Sequence, residues 1–206
     1  ITALTVLPHA ATPSGASIPG TNQEVLRFNV TAGSSTIALR NLTFRITSTD
    51  NAGSGWNTFR TGVDAGFEGH QIALYDATDL GRGVGDFRLW STGGEMLGGS
   101  GEGTDDDGDG IADQDEVVRF ARLGPDSYGG FSDSILQISA DTTKTFVLKM
   151  DTLGASSALD DTLRVDLVAQ TEEVPGNEFQ WSEQDGPEDI TGTVLHLPII
   201  GGTLTF

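Results

Sequence analysis

The feature that most narrows the fold is an apolar alternation with a period of two. Leu26, Phe28 and Val30 alternate with Arg27, Asn29 and Thr31, and Leu163, Val165 and Leu167 alternate with Arg164 and Asp166. Phe146, Leu148 and Met150 repeat the pattern against Thr145 and Lys149, directly after the polar turn Asp141-Thr142-Thr143. Successive side chains of a strand point to opposite faces, so each run reads as a strand with one buried face. Between Ile37 and Ile46 the phase slips, because Ile37 and Leu39 are odd-numbered while Leu42, Phe44 and Ile46 are even-numbered. A β-bulge or a change of sheet near Arg40-Asn41 accounts for the slip. Further strands are expected at 1–7, 70–76, 84–90, 134–139, 178–182 and 192–206, between turn-rich segments at 50–55, 61–69, 91–104 and 124–133. No stretch joins a sustained 3.6-residue apolar period to a capping box, so any helix is expected to be short. The best helix candidate is 114–123, where Val117, Val118, Phe120 and Ala121 suit a helix, but Val118 with Phe120 equally suit a strand, which is the reading taken. Twenty-eight glycines against seven prolines, with abundant Thr, Ser, Val and Leu, fit short strands joined by tight turns. The expected fold is therefore all-β, one antiparallel sandwich of about ten to twelve strands over residues 1–206.

Charge restricts the partners. Thirty acidic residues against eleven basic ones give a net charge of −19, which repels phosphate backbones and anionic lipid surfaces. Nucleic acid is excluded as a partner on that ground, and no apolar run approaches the roughly 18 to 20 residues of a membrane span. Lys144 and Lys149 are the only lysines. This acid-rich, lysine-poor balance points to divalent cations outside the cell or to a saline habitat. There is no cysteine, so neither disulfides nor thiolate metal sites contribute. The opening ITALTVL reads as a strand without a charged leader region, as expected of a processed chain or of a segment of a longer one.

One segment carries recognisable chemistry. Asp105-Asp106-Asp107-Gly108-Asp109-Gly110-Ile111-Ala112-Asp113-Gln114-Asp115-Glu116 has the spacing of a twelve-residue calcium loop. Carboxylates fall at positions 1, 3, 5, 9 and 12 (Asp105, Asp107, Asp109, Asp113 and Glu116), glycine at 6 and the carbonyl of Ile111 at 7. Calcium takes six to eight oxygens, and Gly110 permits the sharp turn that wraps them around one point. The competing reading is a solvated acidic loop, but seven carboxylates in twelve residues with no lysine or arginine among them repel one another unless a cation intervenes. The flanks are not those of an EF-hand: Gly98 to Thr104 is too glycine-rich for a leading helix, and no second loop is present to pair with Ala112. The run DDDGDGIADQDE resembles instead the calcium loops of dockerins and thrombospondin type 3 repeats, which are extracellular and often structural. That resemblance implies a structural calcium ion, with an affinity on the order of 10⁻⁴ to 10⁻³ M.

Other candidates have plain structural explanations. His9, His70 and His196 are scattered without metal spacing, and no nucleophile elbow, P-loop or dinucleotide fingerprint occurs. The glycines of Gly81-Arg82-Gly83-Val84-Gly85 read as a turn between strands. Trp56, Trp90 and Trp181 can form a sugar-stacking platform, or at least two of them can belong to the core. Two sequons, at Asn29 and Asn41, can accept glycans where the producing cell has the machinery.

Taken in order, GTNQEVLRFNVTAG, IALRNLTFRI, GHQIALYDATDLGRGVG, ISADTTKTFVLKMDT, DTLRVDLVA, FQWSEQDG and LPIIGGTLTF resemble the successive strands of the immunoglobulin-like β-sandwich repeats of large bacterial cell-surface proteins. The calcium loop then stands as an insertion at about 98–116. The resemblance implies no catalytic residues, an extracellular location at the cell surface, and partners that are copies of the chain or adjacent repeats in a polymer. The first expectation is thus a non-enzymatic structural subunit or repeat of a filament or surface layer, joined by β-strand addition and stiffened by calcium. The second is an adhesin module for cell-surface glycans. The third is an accessory domain of a secreted polysaccharide-degrading enzyme, which requires two carboxylates facing each other across a cleft about 5 to 10 Å wide.

Overall fold

A computed structural model describes residues 4–51, 53, 56, 72–85, 87–92, 96–97, 118–123, 134–174, 176, 178–184 and 194–206. Among them there is no helix, and the strands are β1 (Leu4–Pro8), β2 (Gly15–Ala16), β3 (Gln23–Ala32), β4 (Ile37–Ser48), β5 (Ile72–Asp76), β6 (Asp79–Val84), β7 (Phe87–Trp90), β8 (Met96–Leu97), β9 (Val118–Leu123), β10 (Gln137–Ile138), β11 (Thr143–Met150), β12 (Thr162–Val168), β13 (Gln180–Glu183), β14 (Val194–Leu195) and β15 (Thr203–Thr205). Two sheets form a sandwich-like arrangement. The first runs β14-β1-β3-β11-β5-β6 and the second β2-β15-β12-β4-β9-β7-β8, with β10 and β13 alongside the first half of β4.

The alternating runs become strands with their apolar faces inward. Leu26, Phe28 and Val30 of β3, Phe146, Leu148 and Met150 of β11, and Leu163, Val165 and Leu167 of β12 are all buried. An aromatic file crosses the interior: Phe146 and Phe28, paired in register, lie 5.5 Å apart between centroids, Phe28 reaches Phe44 of the opposite sheet at 6.1 Å, and Phe44 meets Phe87 at 5.9 Å. The phase slip in β4 is a bulge: Gln180 of β13 faces Asn41 while Trp181 faces Leu39, leaving Arg40 as the extra residue. A second register shift, at Leu148/Lys149 of β11, leaves Val25 extra in β3 and turns it inward as well.

Several expectations are corrected. The sandwich is not wholly antiparallel, because β14 pairs with β1 and β2 with β15 in parallel. These two-residue strands close the margins of their sheets, where a short parallel rung suffices to cover exposed backbone groups. Residues 81–84 lie in the edge strand β6, and the reversal comes earlier, between β5 and β6. Gly83 is needed there because a Cβ would strike the ring of Tyr75. The stretch 84–90 is broken ahead of Phe87, whose N–H turns to the carbonyl of Gly85 at 2.9 Å. In 134–139 only β10 is strand, and 192–206 divides into β14 and β15, with the Leu197–Pro198 peptide bond cis. Gly201 passes so close to β12 that a Cβ would collide with the carbonyl oxygen of Val165.

The ends of this path lie at opposite poles. β3 finishes at Ala32 beside the start of β4, and Leu4 of β1 pairs with Ala32. β4 finishes at Ser48 opposite Leu163, where the N–H of Phe206 donates to the carbonyl of Asp161 at 2.9 Å. The separation along β4, twelve residues long, is about 35–40 Å. Because Phe44 is wholly buried between two other rings, Phe44→Ala is expected to cost about 3–5 kcal/mol. The urea midpoint measures it, with Thr203→Ala on an exposed position as a control expected to change it little.

Candidate functional site

The six calcium ligands expected at Asp105, Asp107, Asp109, Ile111, Asp113 and Glu116 lie outside the described residues. Their flanks do not: the segment connects β8 to β9, two strands that both border β7 in the second sheet. Among the described residues no cluster of His, Asp or Glu is arranged to hold a metal.

Two other sites can be described directly. On the outer face of the second sheet, Asp166 of β12 is completely buried, and Nη2 of Arg45 and of Arg164 both reach its Oδ2, at 2.8 and 3.1 Å. Its Oδ1 accepts the N–H of Gly201 at 3.0 Å. Arg45 faces Asp166 across the ladder because the β4 bulge sets odd residues outward beyond Arg40. A carboxylate in such a place needs at least one of the two arginines, since removing both would leave a buried charge unmatched.

The second site is an oxygen cage around an ammonium. Lys144 Nζ donates to the carbonyls of Ser134, Ile135 and Gln137 at 2.9, 2.6 and 3.1 Å, and lies 3.0 Å from Asp76 Oδ2. It thereby ties β11 and β5 of the first sheet to the stretch that leads into β10, which pairs with β4. Asp76 Oδ1 accepts the N–H and hydroxyl of Thr78 at 2.9 and 2.7 Å. Partial burial pushes the Asp76 carboxyl upward, but the hydrogen bonds from Thr78 and the ammonium of Lys144 outweigh it and hold the group below its ordinary value of 3.8. Lys149 sits over the Tyr75 ring, 5.1 Å from its centroid, so the second lysine is engaged too. Arg27 is raised by its bidentate pairing with Glu24 at 2.7 Å.

The remaining sequence candidates separate. Trp56 and Trp181 are buried and Trp90 is half-buried on β7, so the three do not form one platform. Asn41 is completely buried, its amide donating to the carbonyl of Gly176 and accepting from Arg122 Nε, which leaves no room for a glycan in the folded chain. Asn29 is half-buried in the middle of β3 and accepts the hydroxyl of Thr145 at 2.7 Å. His9 takes the N–H of Ala11 on Nδ1 at 3.0 Å, a local loop contact; His196 lies just beyond β14, and His70 is outside the described residues. Sequence reasoning missed the Lys144 cage, whose only signal was the scarcity of lysine.

Fold and geometry thus define a two-sheet all-β domain with ion pairs set into its strands. No protein-family model and no curated protein matches the chain. Among solved structures, AvmM, which catalyses macrocyclization in alchivemycin A biosynthesis, is similar at 7% identity and a TM-score of 0.26, over 95% of this chain and 92% of that one. A protein from Corynebacterium diphtheriae described as membrane-anchored is similar at 10% identity and a TM-score of 0.21, over 96% of this chain and 38% of that one. Likenesses this faint carry no argument about fold or chemistry.

The depressed Asp76 carboxyl stabilises the fold fully above its unfolded value, and that contribution is lost as pH falls through the lower folded value. Asp76→Asn is therefore expected to lower stability by about 1 kcal/mol at neutral pH and to lessen the loss below about pH 4, read from urea midpoints across pH.

Proposed function

We propose that the chain is a non-enzymatic structural unit of the cell exterior, an immunoglobulin-like sandwich joined end to end with copies of itself or with adjacent repeats in a filament or surface layer. The observation that carries this reading is the placement of β1 and β15 at opposite poles, since a unit traversed from pole to pole lengthens a polymer by its long axis. The joint is made by β-strand addition or by direct continuation into the next repeat. Calcium held by Asp105, Asp107, Asp109, Asp113 and Glu116, with the carbonyl of Ile111, stiffens the connection ahead of β9. An adhesin for surface glycans is the weaker reading, because Trp90 is the only one of the three tryptophans that is not buried.

Light scattering with negative-stain microscopy, with and without millimolar calcium, tests the assembly: elongated head-to-tail particles are expected, and a monodisperse monomer in both conditions would sink the self-assembling subunit. Calcium itself is tested by titration calorimetry and thermal unfolding. Binding on the order of 10⁻⁴ to 10⁻³ M is expected, with about 1.4 kcal/mol of stabilisation at ten times the dissociation constant, and loss of both in Asp107→Asn/Asp109→Asn. An unshifted transition at that concentration removes calcium from the account.

A further inference from the structure

We propose that the outer face of the second sheet around Arg45, Arg164 and Ile200 is a lateral docking site for a second copy of the chain, with the arginine pair gripping a carboxylate of that copy. The inference rests on the self-assembly reading above and adds where copies meet side by side. Three observations carry it. The two guanidiniums share one buried oxygen of Asp166 at 2.8 and 3.1 Å, so their nitrogens lie within about 6 Å of each other, close enough to flank a single carboxylate. The buried aspartate cancels only one of the two positive charges, each guanidinium gives a single hydrogen bond, from Nη2, while its Nε is buried, and the side chains are 37% and 36% exposed. Ile200, 56% exposed, is carried beside them by the segment in which Ile199 bridges to Leu167 and Gly201 binds Asp166.

Arginine is enriched at protein interfaces, and an exposed aliphatic side chain beside the pair adds apolar area to the same face. The partner follows from charge. A second copy carries thirty acidic residues to eleven basic ones, so nearly any surface it presents offers carboxylates. At physiological salt the Debye length is about 8 Å, which shortens the reach of the repulsion between the two net charges, and the pair in contact acts against what remains. Holding both arginines through Asp166 lowers the ordering cost of the contact.

The test compares the wild-type chain with Arg45→Lys/Arg164→Lys, which keeps the charge and loses the planar fork, and with Ile200→Ser. Sedimentation, light scattering and negative-stain microscopy are read at physiological salt, with and without calcium. Side-by-side pairs or bundled filaments are expected for the wild type, with association weakened about tenfold or more in both variants. Lateral association of undiminished strength in the lysine variant overturns the inference, as do single-width filaments that never associate laterally, and both results leave end-to-end assembly standing. Lateral dimers without filaments support the docking site while removing the filament. A wild-type chain that remains monomeric throughout overturns both. Weakening of the dimer by added polyuronate but not by neutral dextran identifies the arginine pair as the carboxylate grip, and binding of polyuronate by a monomer reassigns the face to an acidic glycan.

Discussion

The long strand β4 is the element on which the rest of the molecule depends. It ladders with β12 and β9 along its second half and with β10 and β13 along its first, so four strands take their register from one segment. Such a strand must be apolar on both faces where it is covered twice, and Ala38, Leu39, Leu42, Phe44 and Ile46 are all buried. A regular strand would carry one alternation from end to end and leave half of the second partner set facing the wrong way. The extra residue at Arg40 reverses the phase, so that Phe44 and Ile46 meet the core while Arg45 comes outward to Asp166. Core and ion-pair site therefore both descend from a single inserted residue.

Charge organisation follows from the same frame. In a chain with so few cations, the positive side chains are drawn into fixed duties: Lys144 in its cage, Lys149 over Tyr75, Arg27 on Glu24, and Arg45 with Arg164 on Asp166. The carbonyls around Lys144 belong to a turn and a two-residue strand, and an ammonium with several donors suits such irregular backbone better than a planar guanidinium does.

Much of this was legible in the residues. Strands β3, β11 and β12 follow from strict alternation, and the position of the β4 bulge follows from the odd-to-even slip between Leu39 and Leu42. What the sequence hid has physical causes. Two-residue strands such as β2 and β14 carry no period, and whether they lie parallel or antiparallel is decided by where the chain returns. The glycines of β6 look like a turn because a residue chosen to admit a ring and one chosen for a reversal are the same residue. Asn41 reads as an exposed sequon, and the bulge beside it does set the side chain on the outer face, but there Gly176 and Arg122 cover it. The carboxylate of Asp166 reads as a solvated outward residue, and only the pairing of β4 with β12 reveals that two arginines enclose it.

The pole-to-pole path also sets how the molecule carries tension. A pull applied at Leu4 and Phe206 runs along β1 and β15, whose hydrogen bonds to β3 and β12 lie across the direction of force. The rungs are then loaded together in shear instead of being opened one after another like a zipper. The short parallel strands β14 and β2 lie beside these same two strands and add rungs to both joints. Under steady load the lifetime of the folded unit is set by its rate of forced unfolding, so the rungs that β1 and β15 make become the fastenings that determine how long the unit lasts.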